Sequence, residues 1–515
     1  MIQNSLPYLL PTPTEKKPTY TATELLAAAL GGISFLWYIQ FLWRRRKLYQ
    51  HSRSLPGPFA LPLIGSALSF VGNPYDIFHT ISKMFNTYPG IFRVWFGTRL
   101  FYAVSDPKYF EILLTSPYAQ VKENLYSMAE PVIGQGLFIA PVSKWKKNRK
   151  IIMPTFNQKI LDQFVEVFVE GSEVLTQVLQ KHAGKGEIDL FNIMSRCTLD
   201  IICETAMGVK VQAQTTGCEF TQWSDRVMEI IMIRIFNIIY HSDSIFYKLP
   251  LGRELQSVAE SMKSFTRKVV TERIRAYKSK SYEEPQEPRR KAFLDLLLDI
   301  SYKDNNRFTD EEILDETLTF MVAGSDTTAT TNCFLFVVLG LHQDVQQKVL
   351  EEILEFVGPI RSVDVQDLPK LKYMERVIKE TLRLFPVGPF IVRSVEEDVD
   401  LGDHVIAKGC SIVFGIRRVH TNEAYWPEPF KFDPDRFLPE EISKRHSCSY
   451  VPFSYGPRNC IGMKYAMMAM KSLLATVLRK FEIHTSYAKI EDIELKTNLV
   501  IRPKDGFKVS VKSRT

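Results

Sequence analysis

The stretch that most constrains the fold of this chain is residues 453–462, FSYGPRNCIG, which lies directly before a predicted helix. Residues 463–480 are rich in Ala, Met, Leu and Lys and contain no Gly or Pro, so we expect a helix there. Gly456 permits a tight turn in which the backbone approaches a flat ligand, and Gly462 removes a side chain where that ligand would lie. The sequence therefore predicts a loop that presents Cys460 at a helix N-terminus, where backbone N–H groups favour the thiolate.

Two interpretations of Cys460 follow from its surroundings. A thiolate is a ligand that a soft metal centre accepts, and Arg458 could bind a carboxylate at the rim of a cofactor. The alternative is a buried thiol with a structural role, which is common for a cysteine in a reduced protein. The choice between the two depends on the rest of the chain.

The composition indicates one large intracellular domain. The chain has 515 residues, 45% of them hydrophobic, and neither a linker nor a repeat divides its body. Its seven cysteines are odd in number and show no C-x-x-C spacing, which argues against a disulfide framework and against a zinc site. The net charge of +7 suits a body that lies against an anionic membrane surface. No nucleic-acid partner is expected, because no basic run is interleaved with aromatic residues.

An apolar segment near the amino end predicts a membrane anchor. Residues 25–43 carry no charge and would span roughly 28 Å as a helix, close to the hydrocarbon thickness of a bilayer. The basic run RRRK at 44–47 places the following residues in the cytoplasm. A cleaved signal peptide fits less well, because the apolar run is long and no small-residue cleavage site follows. We therefore predict a short luminal segment 1–24, a transmembrane anchor 25–43, a basic and proline-rich hinge 44–65, and one large domain 66–515.

The body of the chain is predicted to be mainly α with a small β-sheet region. Residues 91–96 and 100–104 have the pattern of two paired strands, and helical periodicity dominates beyond residue 105. A capping box at Thr309 and Glu312 opens the longest predicted helix, which continues to Gly340. Asp326 is the only charged residue from 318 to 338, so this helix should cross the middle of the domain.

The pattern F-x-x-G-x-R-x-C-x-G over residues 453–462 resembles the signature of the haem-thiolate monooxygenases, the cytochrome P450 family. Four further patterns stand in the order of that family: W-x-x-x-R at 145–149, A-G-x-D-T at 323–327, E-x-x-R at 380–383 and P-D-R-F at 434–437. The proline-rich hinge resembles that of the microsomal members. Residues 367–375 and 383–391 resemble the clan that includes fatty-acid ω-hydroxylases, notably its arthropod members. The resemblance covers nearly the whole chain and implies the cytochrome P450 fold for a haem-thiolate catalytic domain over 66–515.

The resemblance implies a role for each candidate residue. Cys460 would be the iron ligand, and Asp326 with Thr327 would relay protons to dioxygen as the catalytic pair. Glu380, Arg383 and Arg436 would form a structural lock. The residues implied to contact haem b (iron protoporphyrin IX) are Trp145, Arg149, Ala323, Arg393, Phe453, Arg458 and Gly462.

Some of these residues also have a purely structural interpretation. Trp145 and Arg149 could form an ordinary cation–π pair on one helix face. Asp326 could pair with a nearby base while Gly324 only permits close helix packing. One departure from the ω-hydroxylases is clear: many of them carry a glutamate esterified to the haem where this chain has Ala323. The haem is therefore expected to be held non-covalently, and strict terminal selectivity is not implied.

By resemblance, the protein is a membrane-bound monooxygenase that inserts one oxygen atom of O2 into a small apolar substrate, such as a fatty acid, a lipid-derived signal or a xenobiotic. Its electrons would come from NADPH through a separate NADPH–cytochrome reductase, with cytochrome b5 as an additional candidate partner. A basic patch around Trp145 (Lys144, Lys146, Lys147 and Lys150) could steer an acidic redox partner. The resemblance places the protein in the endoplasmic reticulum membrane, with the catalytic domain in the cytoplasm.

Two other functions remain open at this point. A haem-thiolate isomerase or dehydratase that acts on peroxides needs no reductase, but such members tend to lose the acid–alcohol pair that this chain keeps at Asp326 and Thr327. A non-catalytic protein that binds haem or apolar ligands would have no reason to retain the pair. No substrate code is readable in residues 118–137, 230–249 and 386–392.

Overall fold

The computed structural model describes residues 21–279, 291–303 and 308–514. The chain divides between Ser54 and Leu55 into two compact units. The first unit contains helices α1 (Ala22–Arg44) and α2 (Arg46–Arg53). A capping box formed by Thr21 and Glu24 begins α1, and none of its residues is buried. Within the described ranges α1 is the one helix that is long and apolar enough to cross a membrane, and it contains the predicted segment 25–43. The segment predicted to be luminal, 1–24, lies mostly outside the described residues.

The second unit is mainly helical. Its helices are α3 (Pro74–Thr87), α4 (Pro107–Thr115), α5 (Glu130–Ile133), α6 (Val142–Ile152), α7 (Gln158–Asp162), α8 (Val165–Gln180), α9 (Phe191–Met207), α10 (Ala213–Thr216), α11 (Phe220–Phe236), α12 (Asp243–Phe246), α13 (Pro250–Lys278), α14 (Phe293–Lys303), α15 (Asp310–Leu341), α16 (Gln343–Phe356), α17 (Lys372–Leu384), α18 (Ile416–His420), α19 (Pro439–Ile442) and α20 (Met463–Leu478). Short 3-10 helices lie at Ala67–Phe70, Pro117–Ala119, Asn124–Ala129, Met153–Phe156, Ile238–His241, Pro434–Phe437, Ser447–Ser449 and Ile490–Asp492.

The strands form one small mixed sheet and three smaller ones. They are β1 (Ile91–Phe96), β2 (Arg99–Val104), β3 (Val121–Lys122), β4 (Ile188–Asp189), β5 (Phe390–Ser394), β6 (Val399–Asp400), β7 (Val405–Ile406), β8 (Ser411–Gly415), β9 (Phe481–His484), β10 (Leu495–Asn498), β11 (Val500–Pro503) and β12 (Lys508–Ser513). The five-stranded sheet has the order β1-β2-β8-β5-β3, and only the β2–β8 pair is parallel. The predicted strand pair at 91–104 is thus confirmed, as is the mainly helical character beyond it.

Helix α15 forms the centre of the second unit. Its N-cap Thr309 and Glu312 make the predicted capping box. From Ser325 onward nearly every residue of α15 is buried, because α9 packs along one side of it. The Cβ that a side chain would add at Gly324 lies 2.7 Å from Ile202 Cδ1 on α9, so any larger residue would require the Ile202 side chain to shift. The interpretation of Gly324 as a packing residue is therefore supported.

One predicted boundary is corrected, because helix α20 ends at Leu478 rather than Lys480. Helix α17 begins at Lys372, three residues after Pro369. Proline lacks the N–H that a helix interior needs and biases the residue before it away from helical geometry.

Candidate active site

One cavity of about 680 Å³ brings together all the residues predicted to act in the second unit. It lies between α15, strand β5 and the loop that precedes α20. The predicted residues that line it are Trp145, Arg149, Ala323, Asp326, Thr327, Arg393, Phe453, Arg458, Cys460 and Gly462. Phe320, which shares a helix face with Ala323 and Thr327, also lines the cavity.

The loop that carries Cys460 is held in a fixed shape by its own backbone. The Cys460 N–H donates to the Phe453 carbonyl at 2.9 Å, and the Asn459 N–H donates to the Gly456 carbonyl at 3.1 Å. Gly456 has φ +72, and a Cβ there would lie 2.3 Å from the Leu114 carbonyl oxygen. The predicted turn is confirmed. The group that approaches Gly456 most closely is the Leu114 carbonyl of the protein itself, and this contact could not be predicted from the sequence.

The thiol of Cys460 faces the cavity. Burial raises the pKa of this thiol, although the Gly462 N–H and the positive charges of Arg149 and Lys122 act in the opposite direction. The predicted contribution of the N–H groups at the helix N-terminus is present, because the Gly462 N–H lowers the pKa of the thiol. Removal from water outweighs this contribution among the protein groups alone.

Beside the thiol, the cavity holds a cluster of four cations: Lys122, Arg149, Arg393 and Arg458. Burial is the first cause that lowers the pKa of every one of them, and nearby positive charge adds to this for Lys122 and Arg458. For Arg458 the pKa falls to about 9. Its Nη2 donates to the Ala140 carbonyl at 3.0 Å, but its buried Nε and Nη1 have no hydrogen-bond partner. Buried donors of this kind require an acceptor, and a charged one is favoured here.

The other three cations contact neutral groups. Arg149 donates to the carbonyl and the side-chain oxygen of Asn459, and Arg393 donates to the Val392 carbonyl at 3.0 Å. The Lys122 ammonium lies over two aromatic rings, those of Tyr126 and Phe138. Among the described residues that line the cavity, the only carboxylate is Asp326, on the other side of the site. The cluster therefore has the charge to bind a group with two carboxylates.

Sequence reasoning missed Lys122. No motif marks it, and the signal lies only in the strand register: Lys122 on β3 is directly opposite Arg393 on β5. Like charges opposite each other on a sheet are unfavourable unless an anion lies between them.

Trp145 connects two members of the cation cluster. The Arg458 guanidinium lies 4.2 Å from the centre of its indole ring, and that of Arg149 lies 6.0 Å away. The cation–π interpretation of Trp145 and Arg149 is thus compatible with a role in ligand binding, because both residues also line the cavity.

These residues fit a haem. A thiol faces the cavity and cations with unpaired donors lie next to it, as an iron porphyrin with two propionates requires. Ala323 presents only a methyl group, and Gly462 presents no side chain. A Cβ at Gly462 would meet Cys460 Sγ at 3.8 Å, so no protein atom forbids a side chain there.

On the opposite wall, Asp326 is buried and its Oδ2 accepts a hydrogen bond from the Ser224 hydroxyl on α11. Burial raises the pKa of Asp326 from 3.8 to about 6. The positive charge of Arg502 and the bond from Ser224 oppose this shift, while the charge of Asp225 adds to it. The carboxyl group therefore exchanges its proton close to neutral pH.

Thr327 lies one residue further on, with its hydroxyl directed back along the helix. Its Oγ1 donates to the Ala323 carbonyl at 2.7 Å, and Thr331 Oγ1 donates to the Thr327 carbonyl at 2.9 Å. The helix remains continuous through this region.

In the predicted lock Glu380 and Arg383 are fully buried and Arg436 is partly buried. Arg383 donates from Nε and Nη2 to the two carboxylate oxygens of Glu380, at 2.7 and 2.8 Å. Arg436 Nε lies 3.5 Å from Glu380 Oε1. The remaining donors of Arg383 bind the carbonyls of His420 and Pro429. The lock therefore ties α17 to the segment before the cysteine loop.

Comparisons with known proteins identify the family of this chain. A family model described as cytochrome P450 matches residues 55–511. The chain is 34% identical to cytochrome P450 4c3 of Drosophila melanogaster over 504 residues, covering 94% of each protein. It is 36% identical to cytochrome P450 4V2 of Rattus norvegicus, again over 94% of each. It is also 34% identical to cytochrome P450 4c21 of Blattella germanica, covering 94% of this chain and 98% of that protein.

A solved structure shows the same fold. The heme domain of a cytochrome P450DA mutant superposes with a TM-score of 0.76 at 22% identity, covering 90% of this chain and 98% of that one. Together with the match over residues 55–511, this establishes that the chain belongs to the cytochrome P450 family of haem monooxygenases.

Proposed function

We propose that this protein is a membrane-bound haem-thiolate monooxygenase that hydroxylates a small apolar substrate with electrons from NADPH through a separate reductase. The observation that supports this most is the composition of one cavity, in which the Cys460 thiol lies beside four cations, Arg393 buried and the other three half-buried, with no carboxylate next to them among the described lining residues. Such a set matches a haem with two propionates, and the rest of the wall is apolar.

Each group in the proposed haem site has one task. Cys460 would bind the iron as thiolate, since the charge of the metal reverses the effect of burial on the thiol. Arg149, Arg393, Arg458 and Lys122 would bind the propionates. Trp145 would support two of the arginines, while Phe453, Gly462 and Ala323 would contact the ring. When bound, the haem supplies the activation of dioxygen. It would be held without a covalent link, because position 323 has no carboxylate.

Asp326 and Thr327 would deliver protons. The pKa of Asp326 is about 6, so at neutral pH the group can both accept a proton and return it at little cost. Ser224 Oγ holds one carboxylate oxygen, Oδ2, and leaves Oδ1 for proton transfer. Thr327 uses its own hydrogen to bond Ala323, so its oxygen faces the cavity as an acceptor that can position a water molecule.

The apolar walls would exclude bulk water and orient the substrate. Phe390, Ile391 and Val392 line the cavity from strand β5, and Val387 lines it from the segment before that strand. The proposed substrates are fatty acids, lipid-derived signals and xenobiotics.

The first unit would anchor the protein in the endoplasmic reticulum membrane through α1, with residues 1–24 luminal, residues 44–65 as the hinge and residues 66–515 as the catalytic domain in the cytoplasm. NADPH–cytochrome reductase is the proposed partner and cytochrome b5 an additional one. Lys146, Lys147 and Lys150 are exposed on α6 and suit an acidic partner, whereas Lys144 already pairs with Glu312 at 3.2 Å.

The test is spectroscopic. The reduced protein with carbon monoxide should show the band near 450 nm typical of a thiolate-bound haem, and Cys460→Ser should abolish it. Cys448→Ser, at another buried cysteine, is the matched control and should leave the band intact. NADPH consumption with purified reductase then separates a monooxygenase from an isomerase or a binding protein. Loss of the band in the control but not in Cys460→Ser would refute the assignment of the ligand.

A further inference from the structure

Asp326 must regain a proton each time it delivers one, yet this residue is only 3% exposed. Within the described part of the chain, the one side chain that donates a hydrogen bond to its carboxyl group is Ser224 on α11. The next residue on α11, Asp225, forms an ion pair with Arg502 on β11. We propose that Asp225 and Arg502 are positioning residues of the reaction, which form with Ser224 the path that returns a proton from solvent to Asp326. This inference rests on the proposed function and extends it to the supply of protons.

Arg502 is a buried cation whose hydrogen-bonding capacity is only partly used. The residue is 7% exposed, and its Nη1 donates to Oδ1 of Asp225. Its guanidinium lies 3.7 Å from the ring centre of Phe191 on α9. Its Nε and Nη2 are buried and have no hydrogen-bond partner among the described residues. Buried N–H groups without an acceptor are costly, and bound water is a common acceptor at such polar sites, so we expect Arg502 to hold water.

The charges of Arg502 and Asp225 both act on Asp326. Burial raises the pKa of Asp326 to about 6, the positive charge of Arg502 opposes this rise, and the negative charge of Asp225 adds to it. The hydrogen bond from Ser224 also lowers the pKa. The structure shows no other charged group with such an effect among the residues it describes. The ion pair between α11 and β11 therefore lies close enough to Asp326 to influence how tightly its carboxyl group holds a proton.

Exposure to solvent falls along this group of residues from the surface inward. The side chain of Asp225 is 39% exposed, and that of Arg502 is 9% exposed. Ser224 and Asp326 are each 3% exposed. Successive side chains of a helix point about 100° apart, so water held by Arg502 is needed to join Asp225 to the Ser224 hydroxyl. The path therefore begins at a partly exposed acid and ends at the buried acid in the cavity wall.

The return of the proton balances without any oxidation or reduction. Asp326 releases the proton on Oδ1 to an acceptor in the cavity, and its Oδ2 takes the hydroxyl proton of Ser224. Ser224 Oγ then takes a proton from the water held by Arg502, and this water is replenished from solvent past Asp225. Rotation of the carboxyl group about its Cβ–Cγ bond turns the new proton toward the cavity. Serine, water and arginine end the cycle as they began it.

The ion pair also has a purely structural interpretation, in which it only ties α11 to the hairpin of β10 and β11. Its removal would then lower stability but leave the proton affinity of Asp326 unchanged. Three variants of the holoprotein separate the two interpretations: Arg502→Met, Arg502→Lys and Asp225→Asn. The matched controls are Lys504→Met and Glu254→Gln, which change side chains that are 43% and 41% exposed and form ion pairs elsewhere.

The first measurement is the pH at which Asp326 is half protonated in the resting holoprotein. It is read from the infrared band of the protonated carboxyl group, identified in each variant as the band that Asp326→Asn removes. Arg502→Met removes a positive charge, so this midpoint should rise by about one pH unit. Asp225→Asn removes a negative charge, so it should lower the midpoint. Arg502→Lys keeps the positive charge, and both it and the controls should keep the midpoint of the unchanged protein.

The second measurement is the hydrogen peroxide formed per NADPH with purified reductase and dodecanoate as the probe, in H2O and in D2O. When the proton from Asp326 arrives late, the two electrons of NADPH leave with dioxygen and two solvent protons as hydrogen peroxide. Arg502→Met and Asp225→Asn should therefore each raise the peroxide yield about threefold, and D2O should raise it further. Arg502→Lys should restore most of the coupling, and the controls should not change it.

An unchanged midpoint for Asp326 in Arg502→Met would overturn the inference. So would a shifted midpoint with an unchanged peroxide yield in both solvents, because the proton would then arrive by another route. Should Arg502→Met fail to bind haem, Asp225→Asn decides by the same two criteria. A purified protein without a thiolate-haem spectrum would instead refute the proposed function, whereas failure of the inference would leave that spectrum intact.

Discussion

Replacing Asp326 by Asn should stabilise the protein at neutral pH although it removes a catalytic group. The carboxyl is buried against α11, where burial raises its pKa from 3.8 to about 6. An acid whose pKa is raised in the folded state binds its proton more tightly there than in the unfolded state. The free energy of unfolding therefore falls as the pH rises from about 4 to about 6. At higher pH the stability lost in this way stays constant.

The magnitude follows from the size of this shift. About two pKa units at 1.36 kcal/mol each amount to about 3 kcal/mol of lost stability at pH 7.5, and about half of this at pH 5. Asparagine has no charge to bury, so the cost disappears in the variant. The packing of this asparagine and its hydrogen bond with Ser224 also change the free energy of unfolding, by an amount that does not depend on pH.

The assay is urea unfolding of the unchanged protein and of Asp326→Asn at pH 5 and at pH 7.5. At each pH it gives the difference between the two proteins in the free energy of unfolding. We expect the advantage of Asp326→Asn to increase by about 1.5 kcal/mol from pH 5 to pH 7.5. Asp435→Asn is the control: this carboxylate is 61% exposed and pairs with Arg376 at the surface, so its effect should be small at both values. If Asp326→Asn changes the free energy of unfolding by the same amount at pH 5 and at pH 7.5, Asp326 does not carry a buried, destabilising charge.

Three further predictions concern neighbouring groups. Glu380→Gln leaves the buried guanidinium of Arg383 without its counter-charge and should lower the free energy of unfolding by about 3 to 5 kcal/mol. Glu397→Gln, in an exposed ion pair, should lower it by less than about 1 kcal/mol. Urea unfolding midpoints compare the two variants, and equal losses would contradict the argument that the buried pair matters more. Arg458→Met removes one cation of the cluster, so haem should transfer to apomyoglobin at least tenfold faster, and an unchanged transfer rate would show that Arg458 does not hold the haem. Thr327→Ala should keep haem and substrate affinity and still consume NADPH, but with less product and more hydrogen peroxide for each NADPH; unchanged coupling would mean that Thr327 only packs the helix.

Much of the site could be predicted from sequence because its residues lie in short local patterns. The capping-box residues Thr309 and Glu312 predict the start of α15, and the spacing of Glu380 and Arg383 places both on one helix face. Arg458 and Cys460 share one loop. In each case the pattern spans only a few residues, so local geometry determines what the side chains can reach.

What could not be predicted depends on contacts between distant segments. Lys122 comes to lie opposite Arg393 only through the pairing of β3 with β5, and Gly456 meets Leu114 far along the chain. The net direction of the Cys460 pKa could not be predicted for the same reason: the local N–H that lowers it is visible in the sequence, but the burial that outweighs this N–H depends on the whole cavity.

The cluster of four cations also has a consequence for the life of the protein in the cell. Without haem, Lys122, Arg149, Arg393 and Arg458 repel one another in a cavity that offers them no counter-ion among the described lining residues. A ligand that binds only the folded state stabilises it by a free energy that grows with the logarithm of the free ligand concentration. The newly made chain should therefore be open to chaperones and proteases until haem arrives, so that haem supply, rather than transcription alone, limits how much of this enzyme accumulates.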